Sequence, residues 1–162
     1  MKHMPRRRLW IALGALSMLT LRAGAPVVAA EPAPKEEPLA QLRVRITGLN
    51  NDKGRVAVAL FASASDFPKQ ERALLGELTP IANKTAQVTF RNLRPGLYAL
   101  AVLHDENQNS KMDFNFLGMP LEGYGFSNDA SAMFGPPSFA DAAFKLKARP
   151  SAVSIKMRYF SL

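Results

Sequence analysis

Cysteine is missing from all 162 residues. Disulfides therefore cannot staple the fold, and a structural zinc site built on thiolates is excluded. Histidine is scarce, with only His3 and His104. A zinc site made of several imidazoles has no donors to draw on. Tryptophan occurs once, at Trp10. No apolar run reaches the roughly 20 residues that a membrane-spanning helix needs. Basic runs with interleaved aromatics, the mark of a nucleic-acid surface, are lacking beyond residue 30, so nucleic acid is not an expected partner. No long stretch carries the 3.6-residue periodicity of an amphipathic helix. Internal repeats are absent too.

What is present begins with a separate segment. Lys2, Arg6, Arg7 and Arg8 give a positive start, and Leu9 to Leu21 is uncharged and mainly apolar. Small residues then lead to Val28 and Ala30, at the −3 and −1 places of a cleavage site before Glu31. Residues 1–30 read as a removable secretion signal. An uncleaved anchor, with Val27 and Val28 lengthening the apolar stretch, is the alternative. The expected location is the periplasm or the cell surface, with no stable membrane span once the leader is cut. The leader holds five of the 21 basic residues and none of the 13 acidic ones, so its loss takes the formal charge from +8 to +3. Residues 31–39, rich in Pro and Glu, read as a flexible linker. Residues 40–162 are the expected domain, large enough to be stabilised by apolar burial.

The domain opens on period-two alternation. Leu42, Val44 and Ile46 alternate with Arg43, Arg45 and Thr47, as a half-wet strand requires. Asn50 to Gly54 is turn chemistry, and Arg55 to Phe61 is expected to return as the second arm of a hairpin. Its large set, Val56, Val58 and Leu60, points one way, and Ala57 and Ala59 line the other face. Asp66-Phe67-Pro68 reads as a turn, and Lys69 to Glu77 as a helical turn or two. Alternation resumes over Thr85 to Arg91. Asn92 to Gly96 fits a type II turn with positive φ at Gly96. Leu97 to His104 is apolar on both faces and belongs at the centre of a sheet. Ala143 to Lys147 and Val153 to Tyr159 supply two more strands. The expected fold is all-β: an antiparallel sandwich of about seven strands with one long irregular loop.

That loop, between His104 and Asp141, is where chemistry is sought, since long structureless connections in compact domains usually have a use. Asp105, Asn107, Asn109 and Asp113 stand at relative places 1, 3, 5 and 9, the oxygen-ligand spacing of a calcium loop. Ser110 replaces the usual Gly at place 6 and Phe116 the Glu at place 12, so Glu122 is the remaining candidate ligand. The plain alternative is a cation-free turn held by its own Asn and Asp side chains. His104 is either a hydrogen-bonded structural residue or, beside Asp105, Glu106 or Glu122, half of an acid–base site. Ser127 and Ser138 lack a nucleophile-elbow context. Tyr124 and Phe126, bracketed by Gly123 and Gly125, either present rings to a ligand together with His104 and Asn128 or plug the end of the sandwich.

These residues carry a resemblance. Leu93-Arg94-Pro95-Gly96-Leu97-Tyr98-Ala99, the His104-Asp105-Glu106-Asn107 segment with Asn109 and Asp113, and Glu122 to Asn128 resemble the exported bacterial family called domain of unknown function 2141. Gly135-Pro136-Pro137, Phe139 and Ala142-Ala143-Phe144 fit the same pattern, over residues 40 to 160. The Pro-Gly-x-Tyr turn recurs in transthyretin-like (prealbumin-like) and collagen-adhesin-B-like sandwiches. The resemblance implies export and such a sandwich, and it carries no activity. The leading expectation is a non-catalytic binding or structural module with a calcium-ordered loop at 105–113 and no other cofactor. The alternatives are a carbohydrate- or peptide-binding module using the 118–128 loop, and a small transthyretin-like hydrolase.

Overall fold

The computed structural model describes residues 38–133 and 135–160. The expected leader and residues 31–37 of the linker lie outside the described residues. Eight strands are present: β1 Ala40–Thr47, β2 Arg55–Phe61, β3 Leu75–Thr79, β4 Ala86–Leu93, β5 Gly96–Asp105, β6 Gly123–Phe126, β7 Phe144–Leu146 and β8 Ser151–Lys156. The helical content is small: 3-10 turns at Gln70–Arg72 and Ser127–Asp129, and one α-helical turn at Phe139–Ala142 capped by Ser138. Two sheets form, in the orders β4-β1-β8 and β3-β2-β5-β6, with β7 also pairing β5. The fold is the expected all-β sandwich.

Its core follows from the alternation. Leu42, Val44 and Ile46 of β1 are fully buried, as are Val56 and Leu60 of β2 and Leu100 of β5. These join Phe90, Tyr98, Val102 and Ile155 in one apolar cluster between the sheets. Burying a side chain of this kind is worth about 1.5–3 kcal/mol. Tyr98 keeps its hydroxyl satisfied by donating to the Arg94 carbonyl at 2.8 Å, which fixes the chain where it crosses from β4 to β5.

Five expectations need correction. β1 and β2 are not a hairpin; they lie in different sheets, β1 between β4 and β8 and β2 between β3 and β5. Both carry a branched set on one face, and stacking those sets across a shared core buries them better than edge-to-edge pairing. Gly48 and Gly54, at φ +76° and +66°, bracket the connection that carries the chain across. The sandwich is not wholly antiparallel, because β8 runs parallel to β1. Of the helical turns expected over Lys69–Glu77, only Gln70–Arg72 forms. β3 follows at Leu75–Thr79, pairing antiparallel with β2; it is an edge strand with four of five residues exposed, so no buried face marks it. β6 lies inside the stretch expected to be irregular and pairs with β5. Gly96 does not take a positive φ; Asn92, at +57°, does so in that turn.

Candidate functional site

Asp105 ends β5 with no exposed surface. Its Oδ1 accepts the Asn109 N–H at 3.0 Å, and its Oδ2 accepts the Ser110 N–H at 3.0 Å. Arg55, across the sheet, donates Nε–H to the same Oδ2 at 3.1 Å. The Arg55 Nη2 also donates to the Gln108 carbonyl at 3.2 Å and the Ser110 hydroxyl at 2.7 Å. One guanidinium thus gathers three oxygens of the turn through N–H groups fixed in a planar fork. Gln108 and Ser110 adopt positive φ, the sharp bending expected of this loop. Asn107 and Asn109 turn their amide N–H groups to the Asp113 carboxylate at 2.6 and 3.0 Å.

Glu122 does fold back to the loop, and it meets backbone. Its Oε1 accepts the Glu106 N–H at 3.0 Å and its Oε2 the Asp113 N–H at 3.3 Å. Burial raises its carboxyl above the ordinary value of 4.5, against those two bonds. Among the described residues, no three His, Cys, Asp or Glu side chains stand together as a metal-ligating group. In this arrangement the side-chain oxygens of Asp105, Asn107, Asn109, Asp113 and Glu122 accept N–H groups of the loop.

His104 lies on the inner face of β5, fully buried. Nε2 stands 2.8 Å from the Lys53 carbonyl, which can only accept, so the proton belongs there. Nδ1 then accepts from the Tyr159 hydroxyl at 2.6 Å, and that hydroxyl accepts the Asn50 N–H at 3.1 Å. Both ring nitrogens are engaged, and the histidine ties the β1–β2 connection to the chain's last segment. Asn128 likewise holds the fold together: at φ +57° it donates Nδ2–H to the Ala143 carbonyl at 2.6 Å.

Tyr124 and Phe126 point the other way. On β6 they alternate with Gly123 and Gly125, which face inward because there is no space for more. A Cβ on Gly123 would fall 2.5 Å from the Tyr159 ring, and one on Gly125 would fall 2.7 Å from Ile155. Both rings are half-buried on the outer face of the five-stranded sheet, with centroids 6.2 Å apart. There they flank a groove of about 540 Å³ floored by Ala57, Ala59 and Ala101 and walled by Met112, Phe114, Met119 and Met133. The structure therefore brings Tyr124 and Phe126 together and leaves His104 on the opposite face. Arg55 was not among the expected site residues, and of the groove's lining only Tyr124 and Phe126 were. The alanines of β2, placed opposite its branched set, and the Tyr124–Phe126 pair of the 118–128 loop were the groove's signals in the sequence.

Fold and site define a β-sandwich protein with an open apolar groove on the outer face of one sheet. The chain belongs to the family described as uncharacterized protein conserved in bacteria, domain of unknown function 2141, whose sequence profile matches residues 44–154. No curated protein matches it. Among solved structures, a pilus-presented adhesin aligns with 75% of this chain at 13% identity and a TM-score of 0.24. The chain spans 27% of that adhesin's length. No helix among the described residues is long and apolar enough to cross a membrane.

Proposed function

We propose that this domain is a non-catalytic binding module of an exported protein, working in the periplasm or at the cell surface, and that it binds in the outer-face groove beside Tyr124 and Phe126. The observation that carries the reading is the groove itself. An open sheet face floored by small side chains and walled by rings and thioethers has the size and lining of a small-ligand site. The leader-like pattern of residues 1–30 supports export. The engagement of both His104 nitrogens, away from the groove, supports binding over catalysis. The apolar lining favours an apolar ligand over a carbohydrate, whose hydroxyls need fixed polar partners. We assign the ordering of the 105–113 loop to Arg55 in place of calcium, because the guanidinium already holds the oxygens of its first turn.

The test is an amide-resolved NMR titration of residues 31–162 with a panel of apolar fragments. Perturbations clustered on Ala57, Ala101 and Tyr124 are expected. Perturbations centred on His104 and the inner core, or none across the panel, refute the groove as the binding site. Amino-terminal sequencing of the protein recovered from a bacterial periplasm checks the export half, with Glu31 as the expected first residue.

A further inference from the structure

The groove has a charged end. Among the described residues, no charged side chain lines its main part. Tyr124, Met119 and Met133 also border a second cavity of about 530 Å³, so the two are continuous across the Tyr124 ring. Lys156 and Arg158 line that second cavity, and no acidic residue does. Both basic side chains are exposed, and among the described residues neither belongs to an ion pair. Among the described residues, the one polar contact of the Arg158 guanidinium is with the Asp129 carbonyl at 3.4 Å. Long apolar walls leading to two uncommitted cations match a molecule with a hydrocarbon tail and an anionic head. Flexible thioethers suit a chain of variable shape.

We propose that the site takes a single-chain anionic amphiphile, tail along Ala101 and Tyr124 and head against Lys156 and Arg158. This rests on the groove being the binding site, and the experiment separates the two. The probes are dodecanoate, dodecanol and dodecyltrimethylammonium, each below its micelle-forming concentration, titrated calorimetrically into residues 31–162. Dodecanoate is expected to bind about tenfold more tightly than the cation, the size of effect that two exposed charge contacts give. The double variant Lys156→Glu, Arg158→Glu is expected to reverse that preference and retain dodecanol binding. Met133→Glu adds a charge at the groove's lip where the side chain is 78% exposed, so folding is spared; it is expected to weaken dodecanol, which carries no charge, and dodecanoate. Equal affinity for anion and cation overturns the head assignment. Binding unaffected by Met133→Glu in a folded protein overturns the groove assignment as well. Binding to anionic vesicles alone, with none to monomeric dodecanoate, overturns the single-molecule site and leaves a membrane contact. If only a ligand of another class binds, and Met133→Glu weakens it, the amphiphile is overturned and the groove stands.

Discussion

Asp105 is a carboxylate with no exposed surface whose nearest compensating charge is Arg55, fifty residues earlier in the chain. Removing one partner of a buried pair leaves the other uncompensated, at a cost of about 3–5 kcal/mol. Arg55→Ala is therefore expected to lose stability of that order in urea denaturation, and Arg55→Lys to recover only part of it, because lysine lacks the fork. Millimolar calcium is expected to leave the wild-type melting temperature where it was. A rise of several degrees, reversed by chelator, would return the loop to the metal. Glu122 makes a different prediction. Burial holds its folded-state carboxyl above 4.5, so the native state keeps a proton that the unfolded chain releases. Its favourable contribution is complete below 4.5 and is lost as the pH rises through the folded value. The stability advantage of wild type over Glu122→Gln should accordingly shrink from acid towards neutral pH. Urea titrations of both proteins at a series of pH values measure it, and an advantage that grows with pH contradicts burial as the dominant cause.

Strand β6 shows what sequence patterning reveals and what it conceals. β1 and β4 were legible because each has one wet and one dry face, and the alternation is written in their side chains. β6 alternates too, but its inward positions are Gly123 and Gly125, which carry no hydrophobic signal. Their reason lies in another segment: the Tyr159 ring and Ile155 occupy the space a Cβ would take. The same limit hid Arg55, since an Asn- and Asp-rich turn announces its own hydrogen bonds but not a distant partner. It also hid the crossing between sheets after β1, because a turn-forming composition does not say which way the chain leaves. The groove showed in part, as alanines on the second face of β2 and as the ring pair Tyr124 and Phe126. The glycine argument is testable. Gly125→Ala is expected to cost about 1–3 kcal/mol by overpacking against Ile155. Gly123→Ala should cost more, since it displaces Tyr159 and thereby the His104 Nδ1 bond. Equilibrium unfolding of both variants decides it, and wild-type stability in either one removes the close-approach explanation.

The five-stranded sheet carries apolar packing on both faces, and the two are unequal. Inside lies the main core. Outside, Phe61, Phe67, Ala99, Ala130 and Ala142 form a second cluster, in which the Phe67 ring meets Phe61, Phe126 and Phe139 edge-on at 5.2, 5.9 and 6.0 Å. Among its described residues, 127–133 and 135–142, the chain that covers it makes few backbone–backbone bonds, such as Ala130 N–H to the Ser127 carbonyl and Ala142 N–H to the Ser138 carbonyl, and side chains hold it to the sheet, the Ser127 hydroxyl accepting the Leu100 N–H at 2.9 Å. Few backbone bonds and a small core mark a unit that opens before the rest. If the cover opens while the sandwich persists, inner and outer mutations must act differently on local exchange. Ile46→Val weakens the native and the cover-open states alike, so the amides of Ala130 and Ala142 should keep their protection while those of β1 and β4 lose about 0.5–1.5 kcal/mol. Phe67→Leu weakens the native state alone and should lower protection at both places. Native-state hydrogen exchange on the two variants measures this. Equal losses at Ala130, Ala142 and β1 in both would mean that the two cores unfold as one, and the groove beside the outer cluster would then be as rigid as the sandwich beneath it.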